Sequence, residues 1–239
     1  MNMGDGIVLG ASSGIGRVLV ECLAESGSTI TAMSRRGSVP GLNSPSVFPQ
    51  VVDIRNYSAL LLAVSAAKER HEVRFIVNCV GVGFYAPVGA DYSTAWNEIL
   101  STNIVGVLNL LSAVENILPD IEHLVHVSSM AAHSISRVPG NVCYSASKAA
   151  ARTIMEDYRR TVREGGRRTR VSMISPGFVE GTEFTNKFFK YADHVTFDPY
   201  GSHANLSPKD VASLIMNILL QPLHILVGDI LVLPSEQPT

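Results

Sequence analysis

The sequence has little charge for its length and no excess of either sign. Only 17% of the 239 residues are charged, whereas 46% are hydrophobic, and an average soluble protein has about 25% charged residues. This composition excludes a disordered chain and a coiled coil. Lys and Arg number 19 against 21 Asp and Glu, giving a formal net charge of −2. The basic excess that nucleic-acid binding requires is therefore absent.

Cysteines and long apolar runs are also scarce. Cys22, Cys79 and Cys143 are far apart and odd in number, which predicts reduced thiols rather than a disulfide framework or a metal site. Residues 1–10 lack the basic segment of a signal peptide, and no uninterrupted apolar run approaches the ~18 residues of a membrane span. We therefore expect a cytoplasmic protein with no membrane or nucleic-acid partner.

Short β-branched runs alternate with longer helical stretches along the chain. The patterns predict strands at residues 7–9, 28–33, 46–52, 73–77, 123–127, 169–174 and 224–233, and helices at residues 15–25, 60–68, 92–116, 145–164 and 208–220. This alternation is typical of a parallel sheet covered on both faces by helices. We predict one α/β domain over residues 1–239, a doubly wound Rossmann-type fold with about seven parallel strands. Residues 180–205 have no clear period, and we predict that they form a lid loop over the substrate.

A glycine-rich turn follows the first predicted strand. Its residues are Gly10, Ala11, Ser12, Ser13, Gly14, Ile15 and Gly16. Ligands of open parallel sheets bind at the carboxyl ends of the strands. Glycines allow a pyrophosphate to approach the backbone, and the helix that follows presents N–H groups and its positive dipole end. The spacing differs from G-x-G-x-x-G, so a strand–turn–helix junction that needs glycine only for its geometry is an alternative.

The end of the second predicted strand indicates which dinucleotide would bind. An NAD site has an acidic residue there, which accepts a hydrogen bond from the ribose 2′-hydroxyl. This chain instead has Ser34, Arg35 and Arg36, and guanidinium groups suit a 2′-phosphate. We predict that NADP(H) is the cofactor in preference to NAD(H), with a solvated basic turn as the alternative.

Tyr144 and Lys148 lie four residues apart at the start of a predicted helix, so their side chains share one face. Tyrosine has a pKa near ~10 and is a poor base at neutral pH. A nearby lysine ammonium favours the phenolate, so we expect the pKa of Tyr144 to be lowered by ~2–3 units. Alone this spacing is weak evidence, because such pairs also occur by chance. Ser128 and Ser129 end a strand of the same sheet, and Asn103 lies inside a helix, where an amide is a modest helix former.

The histidines do not predict a metal site. His123 and His126 lie three apart on a predicted strand, so they point to opposite faces and cannot share an ion.

These motifs, in this order, resemble the short-chain dehydrogenase/reductase family over nearly the whole chain. The matching residues are the Gly10–Gly16 turn, Asp53, the run Asn78-Cys79-Val80-Gly81, Asn103, Ser129, Tyr144 with Lys148, and Pro176-Gly177. The family usually has Asn-Asn-Ala-Gly where this chain has Asn78-Cys79-Val80-Gly81. The gap between the serine and the tyrosine is also slightly longer than is common.

The resemblance implies a role for each matched position. Tyr144 would be the general acid/base, Ser129 (or its neighbour Ser128) would polarise the substrate carbonyl, and Lys148 would hold the nicotinamide ribose and lower the pKa of Tyr144. Asn103 would anchor a water that links Lys148 to solvent. The adenine of the cofactor would be contacted by Asp53 and Ile54. The floor of the cofactor site would be formed by Asn78 and Gly81, and the nicotinamide end would be contacted by Pro176, Gly177 and Val179. The resemblance also implies a homodimer or homotetramer built on the helices at 92–116 and 145–164.

The substrate end resembles a branch of NADP-dependent serine and 3-hydroxy-acid dehydrogenases. The matching residues are Gly181-Thr182-Glu183-Phe184 and the closing Leu233–Gln237 run. That branch tends to have an arginine a few residues further on, where this chain has Phe188 beside Lys187. We therefore expect a ketone or secondary alcohol as substrate, with aromatic residues of the lid excluding water. A 3-hydroxy-acid or serine-type dehydrogenase and a non-catalytic NADPH sensor are the alternatives.

Overall fold

Seven parallel strands form one sheet in the computed structural model, which describes residues 3–89, 91–134, 140–188 and 204–237. The strands are β1 (Asp5–Leu9), β2 (Ile30–Ser34), β3 (Val47–Val51), β4 (Val73–Asn78), β5 (His123–Val127), β6 (Arg170–Pro176) and β7 (Asp229–Val232). Their order across the sheet is β3-β2-β1-β4-β5-β6-β7. Because the order reverses between β1 and β4, the crevice for a ligand is expected at the carboxyl ends of these two strands.

Helices cover both faces of the sheet. They are α1 (Gly14–Glu25), α2 (Tyr57–Arg70), α3 (Ser93–Leu100), α4 (Gly106–Ile117), α5 (Val142–Glu164), α6 (Glu183–Phe188) and α7 (Pro208–Leu219). Alternate residues of β1 point to opposite faces: Ile7 and Leu9 pack in the core beneath α2, α4 and α5, whereas Val8 packs beneath α1 and α7. The predicted doubly wound α/β fold with a seven-stranded parallel sheet is confirmed.

The structure shortens the last predicted strand and describes only part of the predicted lid. The last strand is much shorter than the predicted 224–233, because the Ile225 N–H donates to the Pro222 carbonyl in a turn at 2.8 Å and the chain joins β6 only from Asp229. The predicted lid at 180–205 contains the short helix α6, and residues 189–203 of it lie outside the described part of the chain.

The predicted helix at 92–116 is not uniform. A π-helical segment, Ser101–Val105, separates α3 from α4 and contains Asn103. Such segments often occur at functional sites. The span Ser93–Ile117 is also long and apolar enough to cross a membrane by length and composition, with a mean hydropathy of 1.2. Half of that window is buried inside the fold, as in a core helix of a soluble protein.

Candidate active site

The glycine turn after β1 is shaped by close backbone approaches. Gly10 and Gly14 have positive φ angles of 81° and 53°, which favour glycine. A Cβ on Gly16 would lie 2.4 Å from the Gly10 carbonyl oxygen, so only glycine fits there. Ser13 precedes α1 without forming a side-chain cap, and the first turn of α1 has no acidic residue. This turn and helix N-terminus fit a pyrophosphate, although the same glycines also serve the packing of the junction itself.

The arginines that follow β2 lie beside the glycine turn. Arg36 donates through Nε to the Ser12 hydroxyl at 2.9 Å and through Nη1 to the Glu183 carboxylate at 2.7 Å. Arg35 is half exposed and pairs loosely with Glu98 at 3.8 Å. Arg36 therefore lies against the glycine turn, whereas Arg35 lies near Glu98 of α3. The third predicted residue, Ser34, is buried, and its hydroxyl accepts a backbone hydrogen bond in the turn after β2.

Asp53, predicted at the adenine end, is paired with Arg55. The Arg55 guanidinium donates to both carboxylate oxygens, with an Nη2–Oδ2 distance of 2.6 Å and an Nε–Oδ1 distance of 3.0 Å. These hydrogen bonds hold the pKa of the Asp53 carboxyl below its usual value. Its neighbour Ile54 packs on α4, where a Cβ on Gly106 would lie 2.7 Å from the Ile54 side chain. Because Arg55 bonds to both oxygens of the Asp53 carboxylate, that carboxylate is fixed in position and its negative charge is partly neutralised.

The segment after β4 is packed directly against Lys148. Asn78 accepts a hydrogen bond from the Val80 N–H at 3.0 Å, which fixes its amide nitrogen towards Nδ1 of His126 at 3.2 Å. A Cβ on Gly81 would lie 3.0 Å from Nζ of Lys148. The departures from the family's usual Asn-Asn-Ala-Gly run therefore leave the positions of Asn78 and Gly81 intact.

His126 is a site neighbour that the sequence reasoning missed. Since the Asn78 amide nitrogen is a donor, the network assigns Nδ1 of His126 as acceptor and places its proton on Nε2. Burial, with a smaller contribution from Lys148, lowers the pKa of His126 to about 3 and keeps the ring neutral. The alternation of β5 could have revealed this position, because it puts His126 on the sheet face that α5 covers.

The other histidine of β5 lies on the opposite face, as the spacing predicted. His123 bonds to the Ser172 hydroxyl at 2.7 Å. Across residues 3–89, 91–134, 140–188 and 204–237, no cluster of three or more His, Cys, Asp or Glu side chains is arranged to hold a metal ion.

Tyr144 and Lys148 lie side by side in the first turns of α5, and both are buried. Nζ of Lys148 donates to the Val127 carbonyl at 3.2 Å and lies 5.9 Å from the centre of the Tyr144 ring. Burial raises the pKa of Tyr144 to about 12, and a hydrogen bond with the Ser129 side chain acts in the opposite direction. Burial also lowers the pKa of Lys148 to about 8.

The expected lowering of the pKa of Tyr144 is thus not found in this structure. Removal from water disfavours the phenolate, and the hydrogen bond with Ser129 offsets only part of this effect. The Lys148 ammonium instead donates to the Val127 carbonyl. The structure does bring Tyr144 together with Ser129 and Lys148. The Ser128 hydroxyl is buried without a hydrogen-bond partner in the described part of the chain.

Asn103 connects the segment after β4 to α5. Its side-chain oxygen accepts from the Val82 N–H at 2.9 Å, and its amide nitrogen donates to the Val82 carbonyl at 2.8 Å and to the Ser147 hydroxyl at 2.9 Å. Ser147 in turn donates to the Tyr144 carbonyl at 2.7 Å. The π-helical segment therefore positions the N-terminal turn of α5, and the water-anchoring role of Asn103 stays a prediction.

Aromatic side chains cover Tyr144. The ring of Phe184 lies 5.3 Å from that of Tyr144, centre to centre, and the ring of Phe188 lies 6.4 Å away. The Phe188 carbonyl accepts from the Tyr85 N–H at 2.8 Å, which attaches α6 to the segment after β4. The predicted lid at 180–205 contains four more aromatic residues, Phe189, Tyr191, Phe197 and Tyr200, which lie outside the described residues.

The Pro176-Gly177 run is held by the C-terminal residues. Gly177 donates to the Val232 carbonyl at 2.8 Å, and Phe178 donates to the side-chain oxygen of Gln237 at 2.8 Å. Val179 forms a parallel bridge with Leu206. This segment leaves β6 at the same edge of the sheet as the glycine turn, where the nicotinamide end was predicted.

Comparison with known proteins agrees with this geometry. The profile of the family described as short chain dehydrogenase matches residues 6–192. The human protein named dehydrogenase/reductase SDR family member 11 is 26% identical over 247 residues, covering 98% of this chain and 95% of that protein.

Two solved structures share the fold. A closed form of serine dehydrogenase complexed with NADP+ has a TM-score of 0.87 at 24% identity, covering 98% of this chain and 96% of its own. A 3-ketoacyl-(acyl-carrier-protein) reductase from Brucella melitensis complexed with NADH has a TM-score of 0.79 at 20% identity, with coverage of 95% and 96%. Structural neighbours thus bind either nicotinamide cofactor.

Proposed function

The chain belongs to the short-chain dehydrogenase family, and from that premise we propose that it is an NADP(H)-dependent oxidoreductase that interconverts a ketone and a secondary alcohol. The observation that carries the proposal is the buried pair Tyr144 and Lys148 beside Ser129, at the sheet edge that also holds the glycine turn.

The residues present at this edge fit a dinucleotide. The turn that only glycine can form and the α1 N-terminus without an acidic residue suit its pyrophosphate, and two arginines suit a 2′-phosphate. The residues proposed to bind it are Gly10, Ser12, Ser13, Gly14, Ile15, Gly16, Ser34, Arg35, Arg36, Asp53, Ile54, Asn78, Gly81, Tyr144, Lys148, Pro176, Gly177 and Val179. The preference for NADP(H) over NAD(H) rests on Arg35 and Arg36 and on the lack of a carboxylate at that position.

The protein's own residues handle the proton, and a bound nicotinamide would supply or accept the hydride. The Tyr144 hydroxyl would donate its proton to the substrate oxygen during reduction and take it back during oxidation. Ser129, within hydrogen-bond reach of Tyr144, would polarise the same oxygen. Lys148 would hold the cofactor ribose. Asn103, which bonds to Ser147, would fix the position of the first turn of α5.

The pKa of Tyr144 in this structure favours reduction. Since burial raises the pKa of Tyr144 to about 12, the hydroxyl carries its proton at neutral pH, which is the form that a carbonyl reduction needs. Oxidation needs the phenolate, and a charged Lys148 close to the hydroxyl would be required to stabilise it.

The surroundings of Tyr144 support an apolar carbonyl substrate. Tyr85, Tyr92, Phe184 and Phe188 form one cluster with Tyr144, and aromatic linings of this kind bind apolar ligands and exclude water. A serine-type or 3-hydroxy-acid dehydrogenase is the second candidate, favoured by the Thr182–Phe184 run and by the high structural similarity to serine dehydrogenase.

We also propose a homo-oligomer, a homotetramer by analogy with the family, in the cytoplasm. The outward faces of the helices that would pack together carry exposed apolar side chains: Leu100, Val105, Leu108 and Val142. Burial of such a patch against a second copy would remove it from water.

The variant Tyr144→Phe tests the proposed chemistry. It removes the transferable proton and keeps the ring, so turnover of any ketone should fall by about 10²-fold or more while NADPH binding is retained. Tyr57→Phe, which removes an exposed hydroxyl on α2, is the matched control and should keep full turnover. Full activity of Tyr144→Phe would refute the role of Tyr144.

A further inference from the structure

A glutamine after β7 is buried although the two residues before it are exposed. Gln237 has only 7% of its surface exposed, whereas Ser235 and Glu236 are exposed. The chain turns at this point, because the Gln237 N–H donates to the Pro234 carbonyl at 3.0 Å. Glutamine is mostly found at protein surfaces, and a buried amide normally has hydrogen-bond partners. The partners of this side chain therefore indicate what its burial achieves.

The side-chain oxygen of Gln237 lies on the segment that follows β6. It accepts from the Phe178 N–H at 2.8 Å, and a Cβ on Gly177 would lie 2.2 Å from it, so only glycine fits beneath the amide. The Gly177 N–H donates to the Val232 carbonyl of β7, and the glutamine side chain accepts the next N–H along the chain. Gln237 thus holds the segment that is proposed to contact the nicotinamide.

The side-chain nitrogen of Gln237 faces the turn that carries Ser129. Because the Phe178 N–H is a donor, the atom opposite it is the oxygen, and the amide nitrogen points to the Met130 sulfur, a weak acceptor. Met130 begins a 3₁₀-helical turn, in which the Ala131 N–H donates to the Ser129 hydroxyl at 3.2 Å. One buried amide therefore contacts both segments.

These two segments would hold the two partners of the proposed hydride transfer. The segment after β6 would contact the nicotinamide, and Ser129 would polarise the oxygen of the substrate. Reacting atoms must approach to about 3–3.5 Å, and a displacement of about 1 Å can lower a rate by about 10²-fold. The proposed chemistry therefore requires that the separation of the two segments be fixed.

We propose that Gln237 is a positioning residue, which fixes the segment after β6 relative to the turn that carries Ser129 and thereby fixes the place of the nicotinamide. The inference rests on the proposed function and adds to it a residue that is not among the proposed cofactor contacts. Loss of the amide should weaken binding of the nicotinamide half of the cofactor and leave binding of the adenosine half unchanged.

The variant Gln237→Met removes the amide and keeps an unbranched side chain of similar length. Gln221→Met is the matched control, because it makes the same substitution after α7, where the amide nitrogen donates to the Asn217 carbonyl in an exposed contact. Gln237→Glu is the conservative variant, since its carboxylate still accepts from the Phe178 N–H.

Two ligands separate the halves of the cofactor. Adenosine 2′,5′-bisphosphate lacks the nicotinamide half of NADPH, so the ratio of its Kd to that of NADPH, measured by calorimetry without a carbonyl substrate, reports the contribution of that half. Gln237→Met should lower this ratio about three- to tenfold, as expected for one hydrogen bond, by weakening NADPH alone. Gln237→Glu should recover most of the ratio, and Gln221→Met should not change it. A general loss of stability would weaken both ligands.

Hydrogen exchange tests the link between the two segments. In Gln237→Met the backbone amides of residues 177–179 and of residues 131–134 should both exchange faster than in the wild type, whereas Gln221→Met should change neither set. Faster exchange confined to residues 177–179 would contradict the link to the turn that carries Ser129.

The outcomes separate this inference from the proposed function. A wild-type protein that binds NADPH no more tightly than the bisphosphate contradicts the proposed nicotinamide contacts, and the inference falls with them. A wild-type protein that binds NADPH more tightly, while Gln237→Met leaves the ratio unchanged, overturns the inference alone. If Gln237→Met does not fold, Gln237→Asn, whose amide is one carbon shorter, takes its place with the same expected change and the same contradicting result.

Discussion

Acid should destabilise this protein through a buried histidine that has no place in the proposed chemistry. Burial of the ring, with a smaller effect of Arg170, lowers the pKa of His123 to about 3, against 6.5 for an exposed histidine. Below pH 6.5 the unfolded chain therefore binds a proton at His123, whereas the folded protein leaves this ring neutral until the pH approaches 3. Stability is complete above pH 6.5 and is lost progressively as the pH falls towards 3. Each pH unit costs up to about 1.4 kcal/mol, so His123 removes about 2 kcal/mol between pH 6.5 and pH 5.

The variant His123→Gln tests this magnitude, because glutamine can still bond to Ser172 but never takes up a proton. Urea unfolding followed by circular dichroism at pH 7.5 and pH 5 gives the loss of unfolding free energy for each protein. The variant should lose about 2 kcal/mol less than the wild type over that interval. His224→Gln, at an exposed position, should lose as much as the wild type. Equal losses for His123→Gln and the wild type would refute the reasoning.

Three further predictions concern the turn, the cofactor and the assembly. Gly16→Ala puts a methyl group 2.4 Å from the Gly10 carbonyl oxygen, so thermal unfolding should show a loss of about 1–3 kcal/mol; an unchanged Tm would contradict the tight turn. Arg35→Ala combined with Arg36→Ala should weaken NADPH binding by about tenfold or more with little effect on NADH, and equal weakening of both in a fluorescence titration would count against the 2′-phosphate contact. Leu108→Glu introduces charge on the exposed apolar helix face and should shift sedimentation towards the monomer, whereas a wild-type monomer at micromolar concentration would overturn the proposed assembly.

The fold could be predicted from the sequence because its signals are local. β-branched runs such as Ile7–Leu9, each followed by a glycine turn or a helix, identify the strands of a buried parallel sheet, and the alternation of β5 correctly separates His123 from His126. The last strand was predicted too long because a turn at Pro222 competes with pairing to β6, and β-branched composition does not reveal that competition.

The sequence predicted which residues lie in the candidate site, but it did not predict the raised pKa of Tyr144. Tyr144 and Lys148 share a helix face by spacing alone. The raised pKa of Tyr144, however, comes from burial, and two of the rings packed against it belong to α6, about forty residues away along the chain. For the same reason the ion pair between Arg36 and Glu183 could not be foreseen, since nothing in either local sequence indicates that their segments meet.

The two arginines after β2 make the proposed cofactor the most direct point at which to test the account. The measurement is a fluorescence titration of the purified protein with NADPH and NADH side by side. We predict tight binding that is selective for NADPH, because Arg35 and Arg36 stand where an NAD site has a carboxylate. Selectivity for NADH would contradict the cofactor assignment, and binding of neither would contradict the proposed oxidoreductase function.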